Sequence, residues 1–178
     1  MLGSVAVGHV TDEMRSLTAS TARNCVVQYK TSLSLNGLTE ISPEVADVLG
    51  THGGRLFLDG LTTLSPEVAE GLAGHKRWLF LNGLTSLSPD TAARLAKHKG
   101  WLSLNGLTEV SPELAEVLAK HRCRLFLDGL TDISLEVAEV FAMQRASELS
   151  LEGLTTLSPE VIAMLRRNPK ILLPRKLR

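Results

Sequence analysis

Aromatic residues and cysteines are scarce in this chain. Among its 178 residues there are four Phe, two Trp and one Tyr, so aliphatic side chains must supply most of the core. The two cysteines, Cys25 and Cys123, are too few for a disulfide framework or a cysteine-based metal cluster. We therefore expect both thiols to be free.

Net charge and long apolar runs are also missing. The 19 Lys and Arg residues balance 19 Asp and Glu residues, so only a local patch can attract a charged partner. No apolar run approaches the ~20 residues that span a bilayer. The N-terminal segment has no Lys or Arg before its short apolar stretch and meets Asp12 soon afterwards, which makes it a poor secretion signal. Since the segment is a poor secretion signal, we expect a cytoplasmic protein. Because 44% of its residues are apolar, we also expect it to be folded.

One sequence unit is repeated six times along the chain. The spacing between successive units is 23 residues four times and then 24. The units begin at Leu33, Leu56, Leu79, Leu102, Leu125 and Leu149. A period of this size is typical of a stacked array of supersecondary units, none of which can bury its apolar face alone.

Each unit predicts a short strand, a turn and a short helix. In the first unit Leu33 and Leu35 alternate with polar residues, as in a half-buried strand. Gly37 then breaks the strand into a turn, and every unit has Gly at this place. The helix starts with a serine that can cap its free amides, Pro in five units of six, and an acidic residue in the first turn. The capping serines are Ser42, Ser65, Ser88, Ser111, Ser134 and Ser158.

The units, which read LxLxGLTxLSPExAxxLA, resemble leucine-rich repeats, whose pattern places L-x-L on the strand. They are most similar to the cysteine-containing, F-box-associated type, although no F-box sequence is present. Leu38 and its equivalents occupy the place of the family's Cys or Asn, and Ser-Pro-Glu stands for Thr-Asp. The resemblance covers about residues 32–173. It implies a curved right-handed α/β solenoid with a parallel sheet on the concave face, short helices on the convex face, and binding of other macromolecules.

The two ends of the array differ from the repeated units. We divide the chain into residues 1–31, an N-terminal cap or degenerate repeat; 32–171, the six units; and 172–178, a C-terminal edge strand or cap. Val5 and Val7 are strand-like and precede a Thr-Asp-Glu helix start at Thr11. Leu172 falls in register for a seventh strand, and Pro174 with the basic residues after it would blunt that edge. The chain could also be a piece of a longer array.

The alternation along each strand predicts which side chains are buried. Both strand leucine positions hold Leu in all six units, so we expect these side chains to face the core under the helices. The positions between them then face away, on the concave surface, and five of the seven aromatic residues fall there. The candidate partner-binding residues are Arg55, Phe57, Asp59, Trp78, Phe80, Asn82, Trp101, Asn105, Arg124 and Phe126.

This surface predicts a non-catalytic interaction module that binds a protein or peptide. A contiguous exposed apolar patch usually marks an interaction site, and Trp with Arg is typical of binding hot spots. Six strands at ~4.8 Å give a face about 29 Å long, which suits an extended peptide or a small helix better than a globular partner. The alternatives are a structural spacer or oligomerisation domain of a larger protein, self-association through this face, aromatic stacking without a ligand, and a glycan-binding face.

Two further patterns have structural explanations. His52, His75, His98 and His121 form a column one per unit, which Gln144 and Asn168 continue. No carboxylate or thiolate shares this pattern, so we expect a structural polar ladder rather than a metal site. Basic residues cluster after the histidines, where we expect them to match the helix dipoles: Lys76, Arg77, Lys97, Lys99, Lys120, Arg122 and Arg124.

No pattern in the sequence indicates catalysis. There is no nucleophile elbow, phosphate-binding loop or paired-carboxylate site, and the recurring Ser and Glu residues are accounted for by the helix starts. We expect no enzyme activity and no cofactor. Nucleic acid is an unlikely partner on this reasoning, because the net charge is zero and a dedicated nucleic-acid binder is usually basic.

Overall fold

The computed structural model describes residues 14–177 and confirms the α/β repeat architecture. Within this range, seven parallel strands form one sheet in chain order and seven helices alternate with them. The strands are β1 Ser32–Ser34, β2 Arg55–Phe57, β3 Leu79–Phe80, β4 Leu102–Ser103, β5 Arg124–Phe126, β6 Glu148–Ser150 and β7 Ile171–Leu172. The helices are α1 Ala19–Gln28, α2 Pro43–Gly50, α3 Pro66–Ala73, α4 Pro89–Leu95, α5 Pro112–Leu118, α6 Leu135–Ala142 and α7 Pro159–Leu165. Each strand pairs with its neighbours in sequence, so the chain forms a solenoid of similar coils.

Helices α2 to α7 begin as the sequence predicts. In α2 the hydroxyl of Ser42 accepts a hydrogen bond from the amide of Val45 at 3.3 Å, and the other five serines cap their helices in the same way. Helix α6 has Leu135 in place of the first-position proline. Its cap is nevertheless intact, because Ser134 accepts from Val137 at 3.2 Å. The serine therefore fixes the helix start with or without proline.

Leucines fill the interior between the sheet and the helices. All twelve leucines of the L-x-L strand positions are at most 2% exposed, and the leucine after each turn glycine is at most 1% exposed. The helices add small and branched residues such as Val45, Ala46 and Leu49. Of the seven aromatic residues only Phe141 is fully buried. The predicted division of each strand into a buried and an open side is confirmed.

The two ends depart from the repeated pattern. Helix α1, capped by Thr18, precedes β1 and adds Cys25 to the core. The predicted strand pair at Val5 and Val7 and the helix start at Thr11 lie outside the described residues. At the other end a short 3₁₀ helix, Arg175–Leu177, follows β7.

The last strand starts one residue earlier than the 23-residue period predicts. Ile171, not Leu172, pairs with the core position Leu149. The connection between the end of α7 and this core position is one residue shorter than after α5 or α6. In the last coil the loop after the helix therefore absorbs the change in spacing, whereas the extra residue of the fifth unit lengthens helix α6.

The cysteines agree with the expectation from composition. Both thiols are free: Cys25 is buried, which raises the pKa of its thiol, and the Cys123 thiol donates to the carbonyl of Lys99 at 3.2 Å. In residues 14–177 the longest helix has 10 residues, and no helix is long and apolar enough to cross a membrane.

Candidate functional site

The open side of the sheet carries all ten predicted site residues in three rows that run across the strands. The first row is Ser32, Arg55, Trp78, Trp101, Arg124 and Glu148. The second row is Ser34, Phe57, Phe80, Ser103, Phe126 and Ser150. The third row, one position beyond the buried second leucine, is Asn36, Asp59, Asn82, Asn105, Asp128 and Glu152. We call the seven Arg, Trp and Phe residues of the first two rows the aromatic face.

The first row contains a four-layer stack. The rings of Trp78 and Trp101 are stacked with their centroids 4.2 Å apart and an interplanar angle of 19°. The guanidinium of Arg55 lies 4.7 Å from the Trp78 ring centroid, and that of Arg124 lies 4.1 Å from the Trp101 centroid. Since the four residues follow one another along the sheet, each indole is covered on both of its faces. Neither indole N–H donates to another described residue.

Arg124 is held in this stack by an ion pair with the next strand. Its Nε lies 2.6 Å from Oε1 of Glu148, and its Nη2 donates to Oε2 at 2.8 Å. A two-point contact of this kind fixes the plane of the guanidinium as well as its position. Arg55, at the other end of the stack, forms no ion pair with any residue in 14–177.

The second row continues the apolar surface. Phe57 and Phe80 stack with centroids 4.3 Å apart and an interplanar angle of 6°. Phe126 approaches the edge of Trp101, with centroids 6.2 Å apart and an interplanar angle of 48°. Ser103, between Phe80 and Phe126 in the row, is covered and donates to Oδ1 of Asn82 at 2.7 Å. The aromatic face is therefore continuous across four strands.

The third row is a hydrogen-bonded ladder that sequence reasoning missed. Asn82 Oδ1 accepts from the backbone N–H of Asn105 at 3.0 Å, which joins one coil to the next. The same contact links five successive pairs of coils, at 2.8–3.0 Å, from Asn36 to Glu152. Asp59, Asn82 and Asn105, predicted as contact residues, thus each use a side-chain oxygen to hold the coils together. The signal was the recurrence of Asn or Asp at one place in five of six units.

The histidine column forms a second ladder, inside the loops that lead into the strands. The four rings are at most 2% exposed and stack with centroids 5.7–6.1 Å apart. His75 Nε2 donates to the carbonyl of Gly54 at 2.9 Å, and Nδ1 of His98 accepts from the amide of Gly100 at 3.4 Å. Asn168 makes equivalent contacts, donating to the carbonyl of Gln144 and accepting from the amide of Lys170. These contacts support the expected structural ladder.

Burial keeps these histidines neutral. It lowers the pKa of His75 to about 4 and that of His98 to about 3, with repulsion between neighbouring rings as a further cause. Burial also lowers the pKa of His52 and His121. Across residues 14–177 no three His, Cys, Asp or Glu side chains are grouped so that they could hold a metal ion.

The structure thus brings seven predicted site residues together on one surface and places the other three in the adjoining ladder. No model of a known protein family matches the sequence, and a comparison with curated proteins found no match. Function must therefore be argued from the aromatic face itself.

Truncating single aromatic residues of this face should destabilise the protein only moderately. We expect Trp78→Ser or Phe80→Ser to lower the free energy of unfolding by about 1–2 kcal/mol, since both side chains are partly exposed and lose mainly a stacking partner. Phe141→Ala, in the core, should lose about 3–5 kcal/mol. Urea unfolding of the three variants tests this. Equal losses at Trp78 and Phe141 would mean that another chain buries the face.

Proposed function

We propose that this protein is a non-catalytic binding module that takes up an extended peptide, or an extended segment of a protein, across the aromatic face. The observation that supports this most directly is the location of the aromatic residues. Five of seven lie on the open side of the sheet, while the core needs one. A protein that keeps its few large aromatic side chains partly exposed, in contact with Arg, has the composition of a binding hot spot.

The aromatic face is already ordered by its own contacts. The Arg–Trp–Trp–Arg stack and the Phe57–Phe80 pair fix the side chains against one another, and Glu148 fixes Arg124. Immobilising a flexible side chain on binding costs about 0.5–1.5 kcal/mol, so this preorganisation favours affinity. Stacking and binding are therefore compatible: the stack is the reason that the face is ready for a ligand.

The shape of the face favours a peptide over a sugar or a nucleobase. Sugars and bases stack on the faces of aromatic rings, and both faces of Trp78 and Trp101 are covered by neighbours. Ring edges and the unpaired indole N–H groups suit peptide side chains and carbonyl oxygens instead. At ~4.8 Å per strand, the four strands of the aromatic face give a length of about 19 Å, which accommodates about six residues of extended chain at ~3.3 Å each.

We further propose that the six units are a 23-residue variant of the leucine-rich repeat. The strand leucines, the parallel sheet and the helix in every coil support this. The free thiols of Cys25 and Cys123 suit a reducing compartment such as the cytoplasm.

Selection from a library of random 12-residue peptides displayed on phage tests the proposed function. The wild-type protein should enrich a family of peptides, and the double variant Trp78→Ser, Trp101→Ser should lose that enrichment while remaining folded by circular dichroism. Met143→Ser is a matched control, because Met143 is an apolar side chain that is 75% exposed and lies away from the sheet, at the end of α6. Its enrichment should equal that of the wild type.

Two outcomes would contradict the proposal. A folded monomer that enriches no peptide would favour a structural spacer. A dimer in sedimentation analysis that the double variant converts to monomers would favour self-association through the aromatic face.

A further inference from the structure

The edge of the sheet where the strands begin carries four exposed cations. The residues two positions before the first row are Lys30, Gly53, Lys76, Lys99, Arg122 and Ala146, and we call the first five of them the basic row. Its four cations are exposed, and none forms an ion pair within residues 14–177. By contrast, Arg94 and Lys97 on the helical side both pair with Glu70.

In the part of the chain that the structure describes, neither ion pairs nor helix dipoles account for these cations. Neighbouring strands lie ~4.8 Å apart, so Lys76, Lys99 and Arg122 repel one another on successive coils. The expected explanation by helix dipoles does not hold for them, because dipole effects fall off within the last turn. Helices α3 and α5 have no basic residue in that turn, and the cations lie several residues beyond the helix ends.

The basic row is interrupted by a notch at Gly53 and Gly54. A shallow depression of about 300 Å³, open to solvent, lies there, lined by Lys30, Thr31, Gly53, Gly54, Arg55, Arg77 and Trp78. The lining contains three cations and no carboxylate. Two backbone carbonyls of the lining are already engaged: that of Thr31 accepts from the amide of Arg55, and that of Gly54 accepts from His75. Three of the side chains left to meet a ligand are positively charged donors.

The notch is continuous with the aromatic face through two shared residues. Arg55 and Trp78 line the notch and also form one end of the four-layer stack. A peptide lying along the first row would therefore pass the notch as it leaves the stack. Among the described residues Arg55 has no carboxylate partner, whereas Arg124 at the opposite end has Glu148. Each end of the stack is thus an arginine over an indole, and only Arg124 is paired with a carboxylate of the described residues.

We propose that the notch is a carboxylate-binding site that receives an Asp or Glu side chain of the peptide bound on the aromatic face. This inference rests on the proposed function. Arg55, Arg77 and Lys30 supply the charge-assisted hydrogen bonds. A nucleic-acid phosphate would meet the same cations, but both faces of Trp78, the aromatic residue that lines the notch, are covered by Arg55 and Trp101.

A pair of substitutions at Gly53 separates charge from size. A Cβ at Gly53 would meet no atom within 4 Å, so Gly53→Glu and Gly53→Gln should both fold. The Glu variant supplies a carboxylate to the three cations in the same chain and so competes with the ligand. The Gln variant has nearly the same size and no charge.

The peptides selected by the wild type should carry an acidic residue at a fixed distance from their apolar residues. A fluorescein-labelled copy of the most enriched peptide should bind the wild type at least about tenfold more tightly than its Glu→Gln or Asp→Asn version, as expected when a charge-assisted hydrogen bond is lost. Gly53→Glu should abolish that preference. Gly53→Gln should retain the preference.

Three results would overturn the carboxylate site while the proposed function stands. The wild type could select neutral or basic peptides, or Gly53→Gln could lose the preference for the acidic peptide as fully as Gly53→Glu does. The third result is that fluorescein-labelled oligothymidylate binds the wild type but not Gly53→Glu, and that unlabelled selected peptide does not displace it. Failure to enrich any peptide would instead remove the proposed function, and the inference with it.

Discussion

Lowering the pH from about 7.5 to about 5 should destabilise the folded protein by about 4 kcal/mol, because its buried histidines cannot accept the protons that the unfolded chain accepts. The pKa of His75 falls from its ordinary value of 6.5 to about 4, and that of His98 to about 3. Each such histidine lowers the free energy of unfolding by about 1.4 kcal/mol for every unit by which the pH falls between its unfolded and its folded pKa. From about pH 6.5 to about pH 5 the pH falls by about 1.5 units, so two histidines together give the loss of about 4 kcal/mol. His52 and His121 shift in the same direction and add to it.

The sign of this effect follows from which state binds the proton. A folded-state pKa below the unfolded value means that stability is complete above about pH 6.5 and is lost as the pH falls toward the folded pKa. The cause is desolvation first, and repulsion from the neighbouring ring second. The pKa values of Glu67 and Glu70 are also lowered, but from 4.5. Protonation of these carboxylates therefore affects stability only at a lower pH than protonation of the histidines.

Urea unfolding at several pH values between about 5 and 7.5 measures this dependence, and the chain supplies its own control. Gln144 occupies the place of the histidine in the fifth unit, where its Oε1 accepts from the amide of Ala146. We therefore expect His98→Gln to fold and to lose about 2 kcal/mol of the pH-dependent term. Stability that stays constant across this range would mean that the histidine column opens to solvent or finds a counter-ion.

The sequence predicted the layers of this fold well because its repeats make the two periodicities unambiguous. Leu79 and Leu81 lie on the same face of their strand, and the two equivalent positions are leucine in every unit. Only this face of the strand can therefore belong to the core. The serine caps were equally predictable, since their hydrogen bonds join residues three apart. These features depend on neighbours along the chain.

The parts of the candidate site that escaped prediction depend on contacts between coils. Asn82 looks like a solvent-facing strand residue, yet its oxygen holds the backbone of Asn105, 23 residues away. Gly53 looks like an ordinary loop glycine in the sequence. The fold places Lys30 and Arg77, from the coils before and after it, around the same depression. The early start of β7 at Ile171 reflects a loop length that periodicity alone does not fix.

Replacing the turn glycine Gly106 by Ala should lower the free energy of unfolding by at least about 3 kcal/mol, because there is no space for a methyl group between the coils. A Cβ at Gly106 would lie less than 3.0 Å from the carbonyl oxygens of Asn82 and Leu84, closer than real Cβ atoms come. Both obstructing groups are backbone and cannot rotate away. The backbone at Gly106 does not adopt a positive φ, so close approach, rather than a special turn conformation, is what requires glycine.

Gly53→Ala is the matched control for this prediction. The same methyl group added at Gly53 meets nothing within 4 Å, so stability should be unchanged or rise by up to about 1 kcal/mol through the loss of unfolded-state freedom. Urea unfolding of both variants at pH 7.5 decides the matter, and a loss at Gly106 no larger than at Gly53 would mean that the coils are less tightly stacked than described.

The Gly106 variant also connects packing to the proposed function. Gly106 follows Asn105, whose amide is held by Asn82, and the same coil carries Trp101. Forcing this coil away from its neighbour would widen the 4.2 Å stack between Trp78 and Trp101. We therefore expect Gly106→Ala to change tryptophan fluorescence and to weaken peptide enrichment under conditions where the variant is still folded. Unchanged fluorescence and enrichment in a folded variant would mean that the aromatic face tolerates a change in coil spacing.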